Sequence, residues 1–201
     1  MDNILIYVNF ALNNETTLMK KHFLTALLAV LVSGSSYAQV YATKTGFIRF
    51  ISGTSQEKIE ATNRQVNVAL DASGGNLVLK LAMESFVFDK TADKEEFNVN
   101  YAETNKYPTS TFLGKIVNLK EVNFSKEGTY PVNIDGKLTI HGETRQISEK
   151  GIFEIREGKL IVRSTFSILL SDYKISVTDT TTNPYSKAIE VSVDMVLDKI
   201  N

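Results

Sequence analysis

The sequence contains no cysteine, so it forms no disulfide bonds and supports no thiol chemistry. Histidine is nearly as scarce, with two residues in 201. A zinc site needs three or four ligands, and most of these are cysteine or histidine. The nucleophile and acid–base combinations of enzymes depend largely on the same two residue types. We therefore predict that the protein holds no metal or cofactor and is not an enzyme.

Neither sign of charge dominates the chain. It carries 22 lysine and arginine residues against 23 aspartate and glutamate residues, and the two signs are interspersed. Nucleic-acid binding depends on clustered positive side chains that neutralise phosphates. The charge pattern therefore predicts that nucleic acid is not a partner.

The chain also lacks a long hydrophobic run. The apolar segment Phe23–Val32 is too short to cross a bilayer, which takes about 20 residues. It follows the basic segment Met19–His22 and precedes the small-x-small motif Ser36–Ala38, which is the order of a secretory signal peptide. We predict a signal peptide at residues 19–38, cleaved after Ala38, and a periplasmic or secreted protein with no membrane span. An uncleaved membrane anchor is the alternative.

Residues 1–18 fit this arrangement poorly. Asp2 and Glu15 precede the basic pair, whereas a signal sequence begins with its basic residues. We expect translation to start at Met19 and residues 1–18 to be an N-terminal extension assigned in error. The absence of cysteine excludes a lipid-modified N-terminus. Residues 39–201 have the length of one domain.

A period of two dominates residues 39–201 and indicates half-buried β-strands. Turn signals such as Asp71–Gly75 and Arg156–Lys159 separate the alternating segments and favour antiparallel hairpins. We count about eight strands, a number that can close into a barrel holding side chains or one small ligand. Gly136 interrupts a strand, which predicts a bulge or a close approach to the backbone. The clearest strand has its apolar positions at Ile189, Val191, Val193, Met195 and Leu197.

One segment breaks the two-residue period. Residues 93–96 match a capping box, with an aspartate as the cap and a glutamate three positions later. Phe97 and Tyr101 follow on one helical face, and a Tyr-Pro pair then ends the helix. We predict a short helix from Asp93 to about Asn105 that crosses or caps the barrel, and a second short helix near Gln56–Thr62.

Three blocks of sequence have the order and spacing of a known family. Residues 97–116 contain the Tyr-Pro pair, residues 130–144 end in Leu-Thr-Ile-His-Gly-Glu-Thr, and residues 166–175 contain Phe-Ser-Ile and Ser-Asp-Tyr-Lys-Ile. Together they resemble the YceI family of bacterial envelope proteins, of the type found in Bacteroidetes. The resemblance covers about Gly46–Asn201. It implies an all-β fold: an extended eight-stranded antiparallel lipocalin-like β-barrel with one or two short helices.

The resemblance also implies a hydrophobic partner, a polyisoprenoid or comparable long-chain lipid, held in an elongated cavity and transported or stored without chemistry. The alternative is an envelope interaction or stress-related protein whose barrel is filled by its own side chains. The sequence leaves open whether the domain is a monomer or a homodimer. It does not name the ligand.

If the barrel is hollow, its inward-facing apolar side chains contact the ligand. Tyr101, His141 and Tyr173 are candidates for a polar mouth, although His141 can instead be a corner residue whose ring bonds the backbone. Asp172 beside Tyr173 suggests a head-group contact, an enzyme acting on a lipid head group, or a tight corner. The candidates for the apolar lining are Leu79, Leu81, Phe112, Leu138, Ile140, Phe166, Ile168 and Val193.

Overall fold

The computed structural model of the chain describes residues 39–53, 58–177 and 187–200. The signal peptide at residues 19–38 and the extension at residues 1–18 lie outside the described residues and stay predictions. Within the described ranges, no helix is long and apolar enough to cross a membrane.

Eight antiparallel strands close into a barrel, as predicted from the sequence. Their order around the barrel is β1-β9-β8-β7-β6-β5-β3-β2, and β2 pairs again with β1. A further strand of two residues, β4, pairs only with β2. The strands are β1 (Val40–Gly53), β2 (Lys58–Asp71), β3 (Asn76–Ala82), β4 (Val87–Phe88), β5 (Thr109–Ile116), β6 (Gly128–Ile140), β7 (Glu143–Arg156), β8 (Lys159–Leu169) and β9 (Ala188–Ile200).

The apolar face of each long strand points into the barrel. Successive side chains of a strand lie on opposite faces, so a period of two separates an inner from an outer set. In β9, Val191, Met195 and Leu197 are buried, whereas Asp194 and Asp198 are exposed. Closure gives the long strands neighbours on both sides and removes most of the exposed edge that an open sheet would present.

Two hairpins use two-residue loops of the same geometry. His141 and Gly142 join β6 to β7, and Glu157 and Gly158 join β7 to β8. All four residues have positive φ angles, between 52° and 76°. Positive φ at both loop positions is the type I′ turn, whose twist matches that of the flanking strands. The predicted turn at Arg156–Lys159 is confirmed.

The helical segment begins earlier than predicted. Helix α1 spans Thr91–Glu96 and continues as a π-helical turn, Phe97–Tyr101. Its N-cap is Lys90, which makes no side-chain capping hydrogen bond, so the predicted capping box is wrong. Asp93 lies inside the first turn, where a negative charge still interacts favourably with the helix dipole. Phe97 and Tyr101 are both buried against the barrel, as their spacing predicted.

The second predicted helix, near Gln56–Thr62, is wrong for the residues of that segment that the structure describes. Residues 58–62 open β2 and pair with β1, and residues 54–57 lie outside the described residues. Ile59, Ala61 and Asn63 are buried and alternate with more exposed side chains. This alternation over a short polar stretch is a strand pattern, and pairing with β1 overrides any local helix preference.

The barrel interior has two different halves. In the filled half, near the β2–β3 and β7–β8 turns, large aromatic and aliphatic side chains pack against one another. Tyr41, Phe124 and Phe153 form its aromatic centre. The ring centroid of Phe124 lies 5.8 Å from that of Tyr41 and 6.4 Å from that of Phe153. Around them lie fully buried Leu70, Ile116, Val132, Leu160 and Leu197. The hollow half lies toward the β6–β7 turn and the helical segment.

Candidate functional site

The hollow half encloses an apolar cavity. The cavity has a volume of about 180 Å³. All eight barrel strands and the helical segment contribute to its wall, because each strand presents at least one apolar side chain at this level. All eight side chains predicted as lining face this cavity: Leu79, Leu81, Phe112, Leu138, Ile140, Phe166, Ile168 and Val193.

An aromatic cluster anchors the helical segment to the barrel. Phe97, from the π-helical turn, packs against Phe50 of β1 and against Phe86 and Phe88, with ring centroids 5.1 to 5.7 Å away. Phe50, Phe86 and Phe97 also line the cavity. The helical segment therefore forms part of the cavity wall at this end of the barrel, and the same rings that hold it in place face the interior.

Phe112 covers a pair of glycines in the wall. Gly114 of β5 and Gly136 of β6 lie opposite each other in the register. A Cβ atom on Gly136 would lie 2.5 Å from Cε2 and Cζ of Phe112, and one on Gly114 would also collide with the ring. Of the two outcomes predicted for Gly136, the structure shows the close approach, since β6 keeps its register through this position.

The three sequence blocks meet at the hollow end of the barrel. The ring of Tyr107, from the first block, lies with its centroid 4.4 Å from that of His141 in the second. His141 Nδ1 is 3.1 Å from the backbone oxygen of Tyr173 in the third block, and Nε2 is 2.5 Å from Glu103 Oε2. A Cβ atom on Gly142 would lie 2.6 Å from Cε1 of Tyr107. The blocks thus form one packed corner.

The predicted polar-mouth residues take different positions. Tyr101 and Tyr173 line the cavity, whereas His141 is not in its wall and uses its ring in the corner. Asp172 is exposed and does not line the cavity, and its backbone oxygen accepts a 2.7 Å hydrogen bond from Arg145 Nε. Asp172 and Tyr173 therefore do not face the cavity as a pair.

Strands β7 and β8 are unpaired beside the cavity, and we call this unpaired stretch the window. The two strands pair only from Gly151 with Ser164 to Arg156 with Lys159. Toward the hollow end their described residues do not pair with each other. At the end of the window, the segment after β8 contacts β7 again. The contacts are the hydrogen bond from Arg145 and the ion pair of Lys174 with Glu143.

A family model, the YceI-like domain, matches residues 33–197. The chain belongs to the YceI-like family. No curated protein sequence matches it.

Solved structures share this YceI-like fold at low sequence identity. A polyisoprenoid-binding domain from Saccharophagus degradans, implicated in plant cell wall breakdown, superposes with a TM-score of 0.69 at 14% identity, covering 80% of this chain and 98% of that one. BcnA of Burkholderia cenocepacia has a TM-score of 0.62 at 14% identity, covering 75% and 95%. A Campylobacter jejuni YceI protein has a TM-score of 0.55 at 17% identity, covering 70% and 84%.

Few polar groups interrupt the wall of this YceI-like barrel. The Ser110 hydroxyl donates to the backbone oxygen of Thr139 at 2.8 Å, and the Ser164 hydroxyl donates to that of Lys150 at 2.6 Å. Both serines are thus satisfied by the barrel itself. The described residues contain no group of three or more histidine, aspartate or glutamate side chains that could hold a metal ion.

Several lining residues lie outside the predicted set, and Glu149 is the one with a charged side chain. It lies on β7 between Ile147 and Gly151, and all three point inward. Burial raises the pKa of the Glu149 carboxyl above its usual value. The signal was present in the sequence, because the period of two that places Phe153 and Ile155 inside also places a glutamate there.

Proposed function

We propose that the protein binds a polyisoprenoid or similar long-chain lipid in the hollow half of its barrel, and transports or stores it without chemistry. The observation that carries this proposal is the cavity. A space enclosed almost entirely by hydrocarbon offers a polar solute few hydrogen bonds. Each methylene of an apolar chain that is buried there contributes about 0.8 kcal/mol to the free energy of binding.

The cavity volume limits how much of a ligand lies inside. The space corresponds to about six water molecules at about 30 Å³ each, so it accommodates a short stretch of chain. A longer chain extends out of the barrel, and we propose that it leaves through the window, where β7 and β8 are not paired. Affinity is therefore expected to rise with chain length and then level off once the enclosed space is full.

The comparisons support the ligand class through the fold. The Saccharophagus degradans domain, described as polyisoprenoid-binding, shares this barrel over 98% of its length. The filled-barrel alternative describes only one half of the interior, around Phe153. Export to the periplasm or the medium is part of the proposal and rests on the signal peptide predicted at residues 19–38. The choice between monomer and homodimer stays open and is tested by sedimentation.

Native mass spectrometry of residues 39–201, purified from the natural envelope and followed by organic extraction, tests the proposal. We expect an added mass that extracts as an isoprenoid or fatty chain. A bare protein mass that stays unchanged after incubation with quinones, polyprenols and fatty amides would reject it and favour the interaction module. The N-terminal residue of the same sample shows whether cleavage follows Ala38.

A further inference from the structure

The corner at the hollow end contains three residues in an unfavourable backbone conformation. Glu103, His141 and Lys174 have φ angles of 41°, 52° and 56°, in the left-handed region that residues with a side chain rarely adopt. Each of them directly follows a residue that lines the cavity. These lining residues are Ala102, Ile140 and Tyr173. The contacts that hold the corner together therefore also hold three segments of the cavity wall.

His141 meets a hydrogen-bond acceptor at both of its ring nitrogens. Nδ1 lies 3.1 Å from the backbone oxygen of Tyr173, and Nε2 lies 2.5 Å from Glu103 Oε2. A backbone oxygen and a carboxylate only accept, so each contact needs an N–H from the ring. A neutral imidazole has a single N–H and makes one of the two bonds. The protonated ring makes both, and its bond to the carboxylate is charge-assisted.

The two bonds join segments that are distant in sequence. Glu103 follows the π-helical turn, His141 belongs to the β6–β7 turn, and Tyr173 lies in the segment after β8. The window ends at this corner, where Glu143, two residues after His141, binds Lys174. Loss of one bond to His141 releases one of the three segments from the others and widens the access to the cavity at this end.

We propose that Glu103 and His141 form a latch that is closed while the His141 ring is protonated, and that the cavity exchanges its ligand faster once this proton is lost. Both are positioning residues, since they act on the ligand through the wall segments that they join. The effect on the ligand rests on the proposed function, whereas the latch itself does not.

Other charged or titratable side chains surround the latch. They lie on the turn after the helical segment, on β7 and on the segment after β8, and they are Lys106, Tyr107, Glu143, Arg145, Asp172 and Lys174. All of them are the same in the wild type and in the variants that test the latch. A difference in pH dependence between wild type and variant therefore belongs to the pair.

The unliganded protein tests the latch by itself. In Glu103→Gln the amide donates to Nε2 of a neutral ring, while Nδ1–H still donates to Tyr173, so both bonds persist without the extra proton. We expect ¹⁵N chemical shifts to show that His141 stays doubly protonated to a higher pH in the wild type than in Glu103→Gln. His141→Asn identifies the signal, because asparagine tolerates the left-handed conformation.

Thermal unfolding gives a second reading of the same proton. A folded state that binds an additional proton is stabilised at low pH, and this contribution is lost as pH rises. The Tm of the wild type should therefore fall relative to that of Glu103→Gln between about pH 6 and pH 9.

Ligand exchange tests the consequence, with 1-decanol as the probe. We expect its rate of dissociation from the wild type, measured by NMR, to rise about tenfold between about pH 6 and pH 9, the effect of losing one hydrogen bond to a charged group. In Glu103→Gln the rate should stay within about twofold, because both bonds persist with a neutral ring. Glu95→Gln is the matched control, because Glu95 is an exposed glutamate of α1, and it should show the full rise.

The outcomes separate this inference from the proposed function. If the wild-type rate is the same at both pH values, or if Glu103→Gln keeps the full rise, the latch is wrong and the cavity still binds chains. If 1-decanol does not bind at either pH, the proposed function fails, and the unliganded protein decides on the latch. Equal titration of His141 in the wild type and in Glu103→Gln overturns it.

Discussion

The filled and hollow halves of the barrel are built from the same strands and the same alternation, yet only one of them is solid. Around Phe153 the inward residues are large, and they interlock with Tyr41 and with Phe124 from the loop before β6. In the hollow half, the inward positions of β5 and β6 include Gly114 and Gly136. Strand number sets the width of a barrel, whereas side-chain volume decides what remains inside it.

The comparison separates stability from binding. Fully buried side chains in a close-packed region contribute most of the stability that packing can supply. Side chains that face a cavity lack contacts on that side, so they contribute less and are free to contact a ligand. We expect substitutions in the two halves to have different consequences.

Two phenylalanines, one in each half, test the division directly. Phe153 is fully buried in the filled half, and we expect Phe153→Ala to lower the free energy of unfolding by about 3–5 kcal/mol. Phe166 is half-buried and lines the cavity, so Phe166→Ala should cost about 1–2 kcal/mol. Urea unfolding measures both. Equal losses would contradict the division into halves.

The glycine pair under Phe112 tests how tightly the wall is built. Gly136→Ala would place a Cβ atom 2.5 Å from the Phe112 ring and 2.7 Å from the backbone oxygen of Leu113. We expect a loss of about 1–3 kcal/mol, as for other overpacked sites. In a Phe112→Ala background the loss should shrink without vanishing, because the backbone contact remains. A double-mutant cycle in urea measures this coupling, and an unchanged loss would mean that the ring is not the obstacle.

Filling the cavity should abolish binding while the fold survives. Val193 lies in the wall and Val196, three residues on, is 46% exposed on the outer face. We expect Val193→Phe to weaken the binding of 1-decanol about tenfold or more, because it displaces two or more methylenes of about 0.8 kcal/mol each. Val196→Phe is the control and should bind as the wild type does. Titration calorimetry with circular dichroism checks both properties, and undiminished binding to Val193→Phe would place the ligand elsewhere.

The smallest effect concerns the ion pair that closes the hollow end. Lys174 Nζ lies 2.5 Å from Glu143 Oε1, and its hydrogen bond lowers the pKa of the Glu143 carboxyl. A carboxyl whose pKa is lowered by folding stabilises the fold above its unfolded pKa, and this contribution is lost as pH falls through the folded pKa. Glu143→Gln should therefore lower Tm slightly at about pH 7, and the difference from the wild type should be smaller at about pH 3. Thermal unfolding at the two values measures it, and equal shifts at both would exclude the ion pair as the cause.

Much of the fold could be predicted from the sequence, because strand alternation and turn residues are local. The period of two identified the inward faces, and all eight residues predicted to line a cavity do face it. Helix α1 was placed two residues late, since the capping-box pattern at residues 93–96 competes with a start at Thr91 that no side chain marks. The predicted helix near Gln56–Thr62 is wrong because this segment pairs with β1. That pairing is a long-range contact, and a short stretch of sequence does not reveal it.

Local patterns in the sequence were enough to predict antiparallel strands with apolar inner faces, and the sequence motifs resemble the YceI family. Three features required the folded structure: one half of the barrel is filled and the other hollow, β7 and β8 are unpaired beside the cavity, and Glu149 and Tyr173 both line it. The alternation of apolar and polar residues is a property of the sequence of a single strand. A void, a window or a shared wall depends on how strands distant in sequence lie together, and on the volumes of side chains that meet only after closure.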